Sequence, residues 1–180
     1  MDPILRWAGS KRKLLNVLEQ SAPKRFNTYY EPFAGSAVLF FRLSCKSAVL
    51  GDLNPEVALT YQAVREDSDV VAEILYGIPA TAPAYYELRA LNPEVLTDSQ
   101  RAARLIFLMK SCFNGVYRTN KQGKFNVPLG SRFYKLPSRQ ELKEASLLLS
   151  RATMLCADFE KTLSNCREGD FVYLDPPYSD

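Results

Sequence analysis

The sequence contains no histidine. The commonest general base and the commonest metal ligand are therefore missing, and no metal site is expected. Four cysteines, Cys45, Cys112, Cys156 and Cys166, are scattered without a C-x-x-C pair. That spacing argues against a zinc site or a disulfide framework and reads as reduced thiols in a cytoplasmic protein. No stretch approaches the ~18 uninterrupted apolar residues of a membrane span. The N-terminal segment carries Arg6, Lys11, Arg12 and Lys13 and lacks the apolar centre of a signal peptide. There is no repeat, no low-complexity linker and no complete G-x-G-x-x-G, so a dinucleotide-dependent oxidoreductase has little to rest on.

What the 180 residues do contain is enough apolar material for a proper core, with 47% hydrophobic content, ten Phe and ten Tyr. One domain, or one domain with an insertion, is the expected organisation. The net charge of +3 conceals a block pattern. Residues 110–143 hold eight Lys/Arg and one acid, and residues 1–25 hold six basic and two acidic groups. Blocks of one sign fit either a solvated face or a polyanion-binding surface.

Pattern reading gives a helix from about Leu14, a strand ending at Pro32, and a helix through "AVLFFRL" capped by Ser36. "SAVLGDLN" reads as a second strand, and Asn54-Pro55 as a helix start. Helical periodicity then runs to about Ala90, broken near Pro79 and Pro83, and resumes over 98–113. Asn114 to Gly130, "NGVYRTNKQGKFNVPLG", reads as a β-hairpin or irregular loop. Ser138 opens another helix, and "ATMLCADF" and "DFVYLDPPY" are the last two strands, with a short helix between them. Strand–helix alternation on both sides of a basic insert predicts an α/β fold with a parallel sheet.

Three strand ends carry chemistry, two of them acting as a pair. The first is "EPFAGSA", Glu31 to Ala37, where Gly35 lets the backbone approach a ligand before a helix begins. Paired with Asp52 at the end of the next strand, in the position of an acid that takes ribose hydroxyls, it suggests an adenosine-containing cofactor; alone, Asp52 reads equally as a cap near Asn54. The third is Asp175-Pro176-Pro177-Tyr178. The proline after Asp175 holds it extended, and neither proline has an N–H. The product is a stiff arch presenting a carboxylate, a carbonyl and a phenol ring together. Two acceptors and a ring suit an exocyclic amine on a flat base. Accepting both of its N–H bonds would free the nitrogen lone pair for attack.

In sum, "WAGSKRKLL", "YYEPFAGSAVLFF", "GDLN", the 114–130 stretch, "CADF" and "DPPY" occur in the order seen in DNA adenine-N6 methyltransferases of the Dam type, and the chain resembles that family over nearly its whole length. The resemblance implies a Rossmann-like methyltransferase sheet built from residues 1–55 and 151–180. It also implies an inserted target-recognition region, 56–150, bearing a basic hairpin at 114–135. It implies S-adenosylmethionine as cofactor, held by Trp7, Lys11, Phe33, Gly35, Asp52, Asp158, Phe159 and Asp175. Asp175 would lie between methyl donor and target amine, Pro176 would offer its carbonyl, and Tyr178 would stack on an adenine flipped out of duplex DNA. Arg118, Lys121, Lys124, Arg132, Lys135 and Arg139 would meet phosphates. Asn120, Gln122 and Asn126 would reach base edges, and Tyr117, Phe125 or Tyr134 would either wedge into the gap left by the base or pack the hairpin. GATC is the implied target.

Ser10 and Ala37 stand where the family often has glycine. Members also continue past the catalytic motif, whereas nothing follows Asp180. The expectation is a sheet incomplete at its C-terminal side, weak turnover, and self-association through an unfinished edge. Alternatives are amino methylation of another substrate (cytosine N4, RNA adenine, a protein glutamine) and a DNA-binding remnant without activity.

Overall fold

Alternating strands and helices resolve into a four-stranded sheet with helices packed against it. The computed structural model describes residues 2–177. Its strands are β1 (Tyr29–Glu31), β2 (Ala48–Asp52), β3 (Ala152–Cys156) and β4 (Phe171–Val172), in the order β3-β2-β1-β4, all pairings parallel. The α/β expectation therefore holds. β1 is buried along its whole length because it lies inside the sheet, with Tyr29 facing Ala48 on one side and Phe171 on the other. Burial on both faces accounts for its unbroken Tyr-Tyr-Glu run without apolar–polar alternation. The closing strand is shorter than the sequence pattern suggests: ladder pairing stops after Val172, although the Tyr173 N–H still donates to the Tyr30 carbonyl at 2.8 Å.

The helices are α1 (Leu15–Ser21), α2 (Val38–Leu43), α3 (Pro55–Glu66), α4 (Ser68–Gly77), α5 (Ala82–Ala90), α6 (Asp98–Ser111), α7 (Arg139–Leu149) and α8 (Phe159–Leu163). Their starts follow local chemistry. Asn54 accepts from the Glu56 N–H and Pro55 occupies the first turn of α3. Thr97 with Gln100 and Ser138 with Glu141 form reciprocal capping boxes at α6 and α7. One break was not visible in the periodicity: Asp67 ends α3 and caps α4 through the Val70 N–H. Pro83 does not interrupt a helix; it sits in the first turn of α5.

α6 is buried along most of its length and packs on α3, α4 and α5, while α3 also rests on β2 and β3. The apolar residues of sheet and insert thus share one continuous core, including Phe40, Phe41, Tyr61, Tyr85 and Phe107. Among the described residues, no helix is long and apolar enough to cross a membrane.

The sequence expectation for the start of α2 fails. Ala37, not Ser36, precedes the helix, with φ 47° and no side-chain cap. The connection from β1 needs left-handed backbone at both Gly35 and Ala37, and this turns Ser36 toward the N-terminal segment, where its hydroxyl donates to Ser10 at 2.9 Å. A left-handed alanine costs about 1–2 kcal/mol. Burial of Ala37 and the surrounding hydrogen bonds hold it there.

Candidate active site

The ends of β1, β2 and β4 and the N-terminal segment surround a cavity of about 540 Å³, within the range of small-molecule sites. The Gly35 turn forms its floor. Asp52 braces that turn by accepting the Gly35 N–H on one carboxylate oxygen and the Asn54 N–H on the other, both at 2.8 Å. The buried Tyr61 hydroxyl donates to the Gly35 carbonyl at 2.7 Å. Trp7 closes over the same turn: a Cβ built on Gly35 would lie 2.9 Å from the Trp7 ring, so glycine is required there by space as well as by its φ of +46°. Phe33 and Phe159 stack at 5.9 Å and 26°, making one flat apolar wall.

Asp175 enters from the end of β4. The Lys11 ammonium donates to both its carboxylate oxygens, at 2.6 and 2.7 Å, and also to the Gly9 carbonyl. The N-terminal segment and the Asp-Pro-Pro arch, 164 residues apart, thereby meet in the cavity. Pro176 and Pro177 line it; Tyr178 lies outside the described residues.

Trp7, Lys11, Phe33, Gly35, Asp52, Phe159, Asp175 and Pro176 all line this one space. Asp158 does not. It is exposed and caps α8, whose first residue is Phe159, through the Lys161 N–H. Asp52 is more engaged than its sequence position suggests, being both the acid at the strand end and the brace of the glycine turn. Burial raises its pKa, and the two backbone N–H bonds oppose that rise.

Sequence reasoning gave no role to Glu31. This acid is enclosed among β1 and its neighbours, lines the cavity, and accepts the Tyr29 hydroxyl at 2.8 Å. Burial pushes its pKa up to about 8, opposed by hydrogen bonds from Tyr29 and the Phe40 backbone and assisted by Asp175. The signal available was an acid ending an otherwise apolar strand. Tyr173 also lines the space, although in the sequence it reads as plain strand.

The basic segment folds back on itself. Thr119 bridges Phe125 in antiparallel fashion, and the Asn126 N–H donates to the Arg118 carbonyl. Phe125 is buried and packs on Tyr117, which stacks on Trp7 at 5.6 Å and 19°. Those two aromatics pack the hairpin, and Tyr117 ties it to the cavity wall. Arg118, Asn120, Lys121, Gln122 and Lys124 are exposed along the hairpin. Asn120 has a structural task the sequence did not reveal: its amide oxygen accepts the Gln122 and Lys124 N–H groups and shapes the tip. The Asn126 oxygen accepts from Arg118 Nε at 2.8 Å. Arg132 is exposed and lies 4.4 Å from the Tyr134 ring centre, with Arg6 at 4.1 Å, so Tyr134 has a guanidinium against it from each. Lys135 follows on the surface, and Arg139 opens α7 against Tyr76.

The cavity therefore offers a flat apolar wall, a braced glycine turn and carboxylates, which suit a heterocycle, hydroxyls and positive charge. The family described as D12 class N6 adenine-specific DNA methyltransferase matches residues 7–180. The chain is 33% identical over 189 residues to the type II methyltransferase M1.LlaDCHI of Lactococcus lactis subsp. cremoris, covering 99% of this chain and 66% of that protein. It is 37% identical over 202 residues to the type II methyltransferase M.MjaIII of Methanocaldococcus jannaschii, covering 99% and 69%. To the DNA adenine methylase of Haemophilus influenzae it is 29% identical over 182 residues, covering 98% and 64%. The chain thus spans about two thirds of the length of these relatives.

Proposed function

Because the chain belongs to the D12 class of N6 adenine-specific DNA methyltransferases, we propose that it transfers a methyl group from S-adenosylmethionine to adenine N6 in duplex DNA, within GATC, after the adenine leaves the helix. One observation carries this reading: Asp175 and the Gly35 turn open into the same cavity. When bound, the cofactor supplies an electrophilic methyl group on a positively charged sulfur.

The residues present fit such a group. Phe33 and Phe159 give a face for its purine, Asp52 has lone pairs left for ribose hydroxyls, and Asp175 places a carboxylate near a cation. Trp7 and Lys11 enclose it from the N-terminal side. Asp175 and the Pro176 carbonyl serve the target amine. The Lys11 ammonium on Asp175 marks the carboxylate as an acceptor for nitrogen donors, and an incoming N6 group takes over that acceptance. With its N–H bonds drawn to these oxygens, the nitrogen lone pair is directed at the methyl carbon. The cofactor would supply the methyl carbon and keep its sulfur as a neutral thioether, and N6 would release one proton by way of Asp175 to solvent. No histidine is needed at any point. The exposed cations of the hairpin hold the phosphates, and Tyr117 on Trp7 sets the hairpin against the cavity. Tyr178 is assigned to stacking on the flipped base.

The test is transfer of a radiolabelled methyl group to adenine-containing duplexes, with an adenine-free G·C duplex, RNA and protein as parallel substrates. Incorporation into adenine N6, abolished by Asp175→Ala, is expected. An Asp175→Ala variant with full activity overturns the assignment. DNA binding without incorporation identifies a binding protein instead.

A further inference from the structure

A second cavity, about 370 Å³, lies on the other side of Trp7 from the first; Trp7 and Ser10 line both. Its wall carries four cations, Arg6, Arg12, Lys110 and Lys135, against two acids, Asp2 and Glu141. Each acid has a bonded partner, and both also attract Lys110. Asp2 pairs with Arg12 at 2.7 Å, and Glu141 accepts the Ser138 N–H in the α7 capping box. That leaves Arg6, Lys110 and Lys135 facing one carboxylate.

Lys110 is the telling member. It sits in the last turn of the largely buried α6, and burial lowers its pKa. Among the described residues, its ammonium has one hydrogen-bond acceptor, the Pro3 carbonyl at 3.2 Å. Lys135 is exposed on the same wall, and its charge acts on Glu141. The cations outnumber the acids on this wall, so the recess is net positive and favours an anion. Arg6 is fixed in place by the Cys112 carbonyl at 3.1 Å and by the Tyr134 ring.

We infer that this second cavity seats a sugar–phosphate unit of the DNA strand that carries the target adenine, with Lys110, Lys135 and Arg6 around the phosphodiester. The inference rests on the function proposed above and names a contact that the hairpin residues do not supply. The volume exceeds that of a bare phosphate and accommodates the attached sugar. Sharing Trp7 with the reaction cavity puts the seat next to the extruded nucleotide. Holding the strand there fixes where the base enters.

The experiment uses the full chain and a duplex that it methylates. DNA affinity is measured against salt for the wild type, Lys110→Gln, Lys135→Gln and the pair. Each single variant is expected to reduce the salt slope by about 0.9, and the pair by about 1.8. Phosphates on the target strand are then replaced singly by neutral methylphosphonates. One position is expected to weaken wild-type binding while having no further effect on the double variant. Unchanged slopes, or strictly additive losses at every position, overturn the seat while leaving the methyltransferase reading intact. A wild-type chain that neither binds nor methylates DNA overturns both. Lys135 is exposed, so its variant reports even where Lys110→Gln fails to fold.

Discussion

Replacing Asp52 by asparagine tests whether the glycine turn is built by hydrogen bonding or by chain geometry alone. Each carboxylate oxygen accepts a backbone N–H, from Gly35 and from Asn54, both at 2.8 Å. An amide keeps one acceptor and turns an NH2 group toward the other N–H, so one charge-assisted bond is lost and two donors are brought face to face. A hydrogen bond to a charged group is worth about 1.5–3 kcal/mol. At roughly 2–4 °C per kcal/mol for a domain of this size, the midpoint should fall by about 3–12 °C. The Gly35 turn is the floor of the cavity, so cofactor binding should weaken by about tenfold or more, at 1.4 kcal/mol per decade. Trp7 is the sole tryptophan and lines that cavity, which makes intrinsic fluorescence a direct titration signal for S-adenosylhomocysteine. Asp158→Asn is the matched control: asparagine caps a helix about as well as aspartate, and Asp158 lies outside the lining, so affinity should hold. Equal affinity and equal midpoint in Asp52→Asn and wild type would refute the bracing role.

Further outcomes follow from the same geometry. Glu31 has its pKa raised from 4.5 to about 8, so the folded state holds a proton that the unfolded chain gives up. Its contribution is complete below about pH 4.5 and is lost as pH rises toward 8, at up to ~1.4 kcal/mol per unit; Glu31→Gln should flatten midpoint-versus-pH curves over that window, and parallel curves would contradict it. Gly35→Ala meets both the Trp7 ring and a positive φ, and should abolish cofactor-dependent quenching; a normal titration would show that the turn tolerates a side chain. Alanine at both Lys121 and Lys124 should lower the salt slope of DNA binding by about two, and an unchanged slope would place the DNA on another face.

Much of this arrangement was legible because it depends on local chemistry. Asn54-Pro55 and Ser138 announce their helices through capping atoms at the start, and 98–113 through its apolar periodicity, while the partners Gln100 and Glu141 of the capping boxes are seen only in the fold. The glycine turn and the Asp-Pro-Pro arch announce themselves because few residue types produce them. What stayed hidden depends on contacts between distant segments. Nothing near Tyr117 signals that its ring stacks on Trp7, and nothing near Lys11 signals Asp175. Glu31 looks like an ordinary strand-end acid until its enclosure is seen. Asn120 looks like a base reader because its amide suits adenine, yet the tip of its own turn claims the oxygen.

The route of the chain between β2 and β3 has an evolutionary consequence. Those strands are neighbours in the sheet, so everything from α3 to α7 is one enlarged crossover between fixed anchor points. The anchors, Asp52 at the exit and Ala152 at the return, need not move when the outer part of that excursion is exchanged. Surface residues on that excursion can therefore vary while the strand ends that line the cavity keep their places.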